Sequence, residues 1–158
     1  MHIEEKQLKQ FILDSGLVTN KEYEKAEKEA SKKGVRVTEI LVNEGQISED
    51  DSRRIQANVL GIPFVDLKQT KIDFNVLSLI PEPIARNHNI VAFEKTKDSL
   101  EVAMLDVDDL GAIDFVKKKV GLKILPRLTD TESIKNVLLQ YQKSLKAEFG
   151  DIIQKEGF

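Results

Sequence analysis

The residues able to do acid–base or metal chemistry are few and scattered. The chain carries two histidines, His2 and His88, and no cysteine. Neither histidine has a second donor at metal-ligand spacing, which argues against a metal centre. The lack of cysteine removes a thiolate zinc site, a cysteine nucleophile and a disulfide scaffold together. Glu49, Asp50 and Asp51 match a calcium loop in composition but lack its alternate spacing and its distal bidentate glutamate. They fit better as acids at a helix N-terminus, as do Asp106, Asp108 and Asp109. Val120-Gly121-Leu122-Lys123 comes nearest to the phosphate loop G-x-x-x-x-G-K-[ST], without its first glycine or its hydroxyl residue. No Gly-x-Ser-x-Gly elbow occurs, and two separated histidines leave a Ser-His-Asp assembly without support. These residue types predict a chain that is not an enzyme, holds no cofactor and acts by binding.

Composition narrows what it binds. The 158 residues are 41% hydrophobic and 32% charged, with a formal net charge of −3. Both signs are interspersed, so no basic field is present to draw a phosphate backbone, and nucleic acid is not an expected partner. No apolar run approaches the roughly 20 residues that cross a bilayer. The charged opening MHIEEKQLKQ lacks the apolar core of a secretory signal. The expectation is a cytoplasmic protein with no direct membrane insertion. Arg53 and Arg54 form a short basic pair read as a solvated helix face, with a docking contact as the alternative.

The elements behind these residues fall into two halves. Laying Gly16 on Gly45 superposes LKQFILDSGLVTNKEYEKAEKEA on VTEILVNEGQISEDDSRRIQANV, a degenerate repeat at an offset of 29 positions. In each copy, apolar residues at helical spacing (Leu8, Phe11, Ile12; Val37, Ile40, Leu41) run into a glycine suited to a helix C-cap. A short apolar step follows, then a capping signal, Thr19 to Glu22 and Ser48 to Asp51. Tyr23, Ala26 and Ala30 continue the first stripe; Ile55, Val59 and Leu60 continue the second, with Ser52 where a core residue is expected. Each copy is a helix, a tight turn and a helix. One hairpin cannot bury its own apolar face, so the two should pack as a four-helix unit.

Pro63 breaks the helical period and makes residues 61–67 an extended link, with the boundary near 68–72. Phe74, Leu77 and Ile80 lead to Pro81, and Pro83 opens a short helix from Ile84 through His88. Residues 90–93 and 100–104 flank the turn 95–99 as a β-hairpin. Asp108 or Asp109 caps a helix carrying Ala112, Phe115, Val116 and Val120 that stops at Gly121, and residues 122–126 make a third strand. Thr129 with Glu132 caps a last helix bearing Ile134, Val137, Leu138 and Tyr141. The predicted class is α+β: a four-helix unit of two helix-turn-helix repeats at 1–67, then a small α/β layer domain with a three-stranded sheet at 68–145.

Three stretches carry a resemblance: LSLIPEPIARNHNIVAF, LEVAMLDVDDLGAIDFVKKKVGLKILPRLT and ESIKNVLLQYQ. With their proline, hairpin and I-x-x-x-L-x-x-Y helix they resemble the N-terminal region of type II secretion and type IV pilus-extension ATPases. Val107 stands where many members have proline. The first half resembles the tandem-motif MshE N-terminal type, which in some members binds cyclic di-GMP. The resemblance implies a regulatory and docking module that engages the cytoplasmic part of an inner-membrane platform protein, at the cytoplasmic face of that membrane. It further implies an ATPase motor domain as partner, with residues 146–158 as the start of a linker toward it. Phe93, Phe115 and Tyr141 are the candidate anchors, each also suited to a core. For cyclic di-GMP the resemblance points to Arg36, Gly16 and Gly45. The binding pattern begins Arg-Leu-Gly and ends in glutamine, whereas here the copies begin Gln7-Leu8-Lys9 and Arg36-Val37-Thr38 and end at Ala30 and Val59. One arginine fork out of that set predicts weak or absent guanine recognition.

Overall fold

The computed structural model describes residues 5–155, and the side chains of residues 6–143. Eight helices and three strands follow in order: α1 Glu5–Asp14, α2 Asn20–Lys33, α3 Val37–Asn43, α4 Glu49–Leu60, α5 Phe74–Leu77, α6 Glu82–His88, β1 Ile90–Lys95, β2 Ser99–Met104, α7 Leu110–Val120, β3 Lys123–Leu128 and α8 Thr131–Lys155. They group into two compact units, Met1–Phe64 and Val65–Phe158.

The first unit obeys its repeat. Thr19 and Ser48 each close a reciprocal capping box, with Glu22 and Asp51 returning the bond to the cap's own amide. Ile12 and Leu41, 29 positions apart, are both fully buried, and so nearly are Val18 and Ile47. Burying each such aliphatic side chain contributes on the order of 1.5–3 kcal/mol, and Tyr23, Ile40 and Ile55 complete the same core. Helix α1 packs on α4 and α2 on α3, so each copy closes against the other. The copies diverge where Tyr23 and Ser52 correspond. Both are buried, and Ser52 meets the cost of burial by accepting a hydrogen bond from Gln56 Nε2 at 3.2 Å.

In the second unit, β1 pairs antiparallel with β2 and β2 parallel with β3, in the order β1-β2-β3. The parallel step requires a crossover, which α7 provides while packing on β3. Helices α5, α6 and α8 pack on β1. Leu77, Ile80, Ile90, Leu100, Met104 and Val137 are fully buried at the centre. Phe93 is an extra residue in β1, since the register steps from Ala92 opposite Val102 to Glu94 opposite Glu101.

Strand β3 starts at Lys123 and runs to Leu128, two residues beyond the expected end at Pro126. The amides of Lys123 and Thr129 donate to Asp98 and Met104 carbonyls, so alternate residues 123, 125 and 127 face β2. Pro126 therefore faces the outer edge, where its missing N–H costs the ladder nothing.

Helix α8 also departs from expectation at its start. Thr129 does not cap it: its hydroxyl donates to the Val65 carbonyl at 2.7 Å. Asp130 does, accepting the Ser133 amide at 2.9 Å. The Ser133 hydroxyl accepts the Leu67 amide at 2.9 Å, and Lys68 Nζ lies 3.3 Å from the Asp130 carboxylate. Farther along, Asn136 and Gln140 bind the carbonyls of Leu67 and Thr70 and the amide of Ile72. Residues 65–72 are thus fastened along α8. The helical backbone continues through Lys155, over most of the stretch read as linker start; residues 156–158 lie outside the described residues. Pro83 is the second residue of α6, which begins at Glu82 instead of Ile84.

Tyr141 is an internal residue, not a surface anchor: its hydroxyl lies 3.1 Å and 2.7 Å from the carbonyl oxygens of Leu77 and Ile80, and burial raises its pKa above the usual tyrosine range. Tyr141→Phe leaves those carbonyls without the hydroxyl, and the unfolding free energy is expected to fall by about 1–2 kcal/mol in urea titrations.

Burial pushes the Asp130 carboxyl up, but the Ser133 hydroxyl and amide and the Lys68 ammonium outweigh it, leaving its pKa below the ordinary aspartate value. A depressed folded pKa stabilises the fold above the unfolded value near ~4, and that contribution is lost as pH falls through the folded one. Asp130→Ala is expected to cost about 2 kcal/mol at neutral pH, with the gap from wild type shrinking below pH ~4 in paired urea titrations.

Candidate ligand and docking surfaces

Gly16 and Gly45 occupy equivalent turns with φ of 76° and 75°, and both are exposed. A Cβ on either would meet nothing within 4 Å, so the need for glycine is conformational and the space over both turns is open. Arg36 is the N-cap residue of α3, in extended geometry, and its side chain makes no capping hydrogen bond. Arg36 and Gly45 bracket α3 from opposite ends, with the seven-residue helix, about 10 Å long by helical rise, between them. Two of the three expected site residues thus stand at opposite ends of one helix.

The side chains around them are poorly matched to a dinucleotide. Leu8, Val37, Thr38 and Ala30 are all buried in the core of the unit. Lys9 lies with its ammonium 5.5 Å from the centre of the Tyr23 ring. Glu44, directly before Gly45, is hydrogen-bonded to Glu29, which raises the Glu44 pKa, while Lys33 and that same contact lower the Glu29 pKa. A phosphate brought to this turn would face carboxylates. A groove of about 330 Å³ does lie between α1 and α4, lined by Gln7, Gln10, Phe11, Asp14, Asn58 and Val59. It contains none of Arg36, Gly16 and Gly45.

Other charged residues are absorbed into structure. Arg53 is not on a freely solvated face: its side chain is 16% exposed and sits 2.7 Å from Asp50, with Glu49 at 3.6 Å. Arg54 stacks over Phe64 with 4.9 Å from guanidinium carbon to ring centre. Of the two candidates, Asp109 caps α7, accepting the Ala112 amide at 3.2 Å, and its other oxygen lies 2.8 Å from His88 Nδ1. The His88 contact holds the Asp109 carboxyl below its usual range. His2 lies outside the described residues. Among the described residues no group of acids and histidines could hold a metal ion, and no helix is long and apolar enough to cross a membrane.

The second unit offers apolar surface on α7. Leu110 is 70% exposed and Phe115 is 45% exposed, whereas Phe93 is half-buried against the core. Sequence reading missed Leu110. Its signal was its place on the helix, off the stripe of Ala112, Val116 and Val120.

Comparison with known proteins agrees with this architecture. The chain is 26% identical over 150 residues to the type IV pilus assembly ATPase PilB of Myxococcus xanthus, covering 95% of this chain and 26% of that protein. It is 28% identical over 148 residues to PilB of Thermus thermophilus, covering 90% of this chain and 16% of the relative. The chain thus spans about a quarter of one relative's length and about a sixth of the other's. Among solved structures, MshE with cdg superposes at a TM-score of 0.66 and 23% identity, over 85% of this chain and 97% of the other. The N-terminal domain of XpsE superposes at 0.57 and 20%, over 89% and 96%. Both share the fold. The MshEN domain family matches residues 60–148, more than half the chain and nearly all of the α/β unit. The chain belongs to the MshEN domain family.

Proposed function

We propose that this chain is a non-catalytic regulatory and docking module of a type IV pilus-assembly or type II secretion ATPase, which binds the cytoplasmic part of an inner-membrane platform protein. The observation that carries the reading is the exposure of two large apolar side chains on α7, Leu110 and Phe115, in an α/β unit of this family. Apolar anchors inside a charged rim are what protein interfaces use. The motor domain would be the second partner. Purified chain is expected to retain the platform protein's cytoplasmic domain on affinity beads and to release no phosphate from ATP. Loss of retention, or ATP turnover by the chain alone, would sink this reading.

A second reading, a receptor for cyclic di-GMP, is supported by the likeness to MshE with cdg and by the two positive-φ glycines. Against it stand the buried motif positions and the acids beside Gly45. A ligand shifts an arrangement only through differential affinity, which a single arginine fork supplies poorly. Titration calorimetry with cyclic di-GMP is expected to give no saturable heat. Micromolar binding abolished by Arg36→Ala would favour the second reading instead.

A further inference from the structure

A groove of about 890 Å³ runs between the C-terminal half of α7 and the start of β3. Its floor is apolar, made by Ile113, Leu122 and Ile124, all half-buried against the core. Its rim is cationic: Lys117, Lys118 and Lys123 line it, with Asp114 as the acid. Lys118 is paired to Asp114 at 3.0 Å, which leaves Lys117 and Lys123 unbalanced by the residues lining the groove. This is a local positive field in a chain of net charge −3.

Lysines in the last turn of a helix are explained in part by its dipole. That account reaches Lys117 and Lys118. It does not reach Lys123, which stands on β3, nor the apolar floor between them. The backbone adds a third property. Since residues 123 and 125 face β2, the N–H and C=O of Ile124 point to the outer edge of the sheet, while Pro126 offers no N–H there. The edge is open for a short length and then blunted.

We propose that this groove takes a short extended segment of a partner protein in which acidic residues alternate with apolar ones. The backbone of the segment pairs with Ile124, its apolar side chains enter the floor, and its carboxylates meet Lys117 and Lys123. An open backbone edge beside the floor favours an extended peptide over a lipid surface, which has no backbone to pair. The proposal rests on the docking reading above and adds to Leu110 and Phe115 a second contact on the same unit, with the platform protein's cytoplasmic domain as the source of the segment.

The test measures binding of the platform protein's cytoplasmic domain to the wild-type chain and to Lys117→Glu/Lys123→Glu by calorimetry, at low and high salt. Both lysines are exposed, so the variant should fold; circular dichroism checks this. Lys25→Glu/Lys32→Glu, with the same change of charge on α2, serves as control. Expected are about tenfold weaker binding in the groove variant alone and a salt dependence that the variant loses. Equal affinity in both variants overturns the groove while leaving docking intact. Absence of binding by the wild type removes docking itself. Loss of association with phosphatidylglycerol vesicles in the groove variant, with protein binding unchanged, overturns the proposal in favour of a membrane surface.

Discussion

The second unit hangs on a buried carboxylate. Asp130 caps the longest helix, receives the Lys68 ammonium, and shares Ser133 with the amide of Leu67. A buried charge is tolerable only when surrounded by donors, and here the donors come from the helix and from the segment that precedes the whole α/β unit. Asn136 and Gln140 extend the same fastening along the next turns of α8. The entry segment 65–72 and the closing helix thereby hold each other, and the sheet is built from the residues between them.

Much of this was legible in local pattern. The offset between Gly16 and Gly45, the two capping boxes and the hairpin around Lys97 need only neighbours within a few residues, and those relations survive any packing. The failures share a cause. Thr129 looked like a cap because Glu132 stands three residues on, but its hydroxyl is engaged by Val65, 64 positions away. Pro126 looked like a strand end because proline lacks an amide; only the register of a parallel partner shows that this amide was not needed. Tyr141 could be assigned to core or surface until its partners at Leu77 and Ile80 were known.

The candidate ligand residues show the converse limit. The glycines persist because two identical turns need positive φ, whatever else the turns once touched. The two turns are therefore accounted for by backbone geometry, which says little about any side chain that would read a ligand. Gly16 and Gly45 are related by the repeat, whereas Arg36 and Gly45 stand at opposite ends of one helix, α3.

Pro126 has a meaning beyond the strand in which it sits. A six-residue edge strand with every outward amide available is a template on which a second copy of the same sheet can assemble. On β3 one proline at an outward position interrupts that template at its midpoint, and the Leu128 carbonyl beyond it is already taken by the Val65 amide. An edge so shortened cannot seed a continuous sheet made of its own copies.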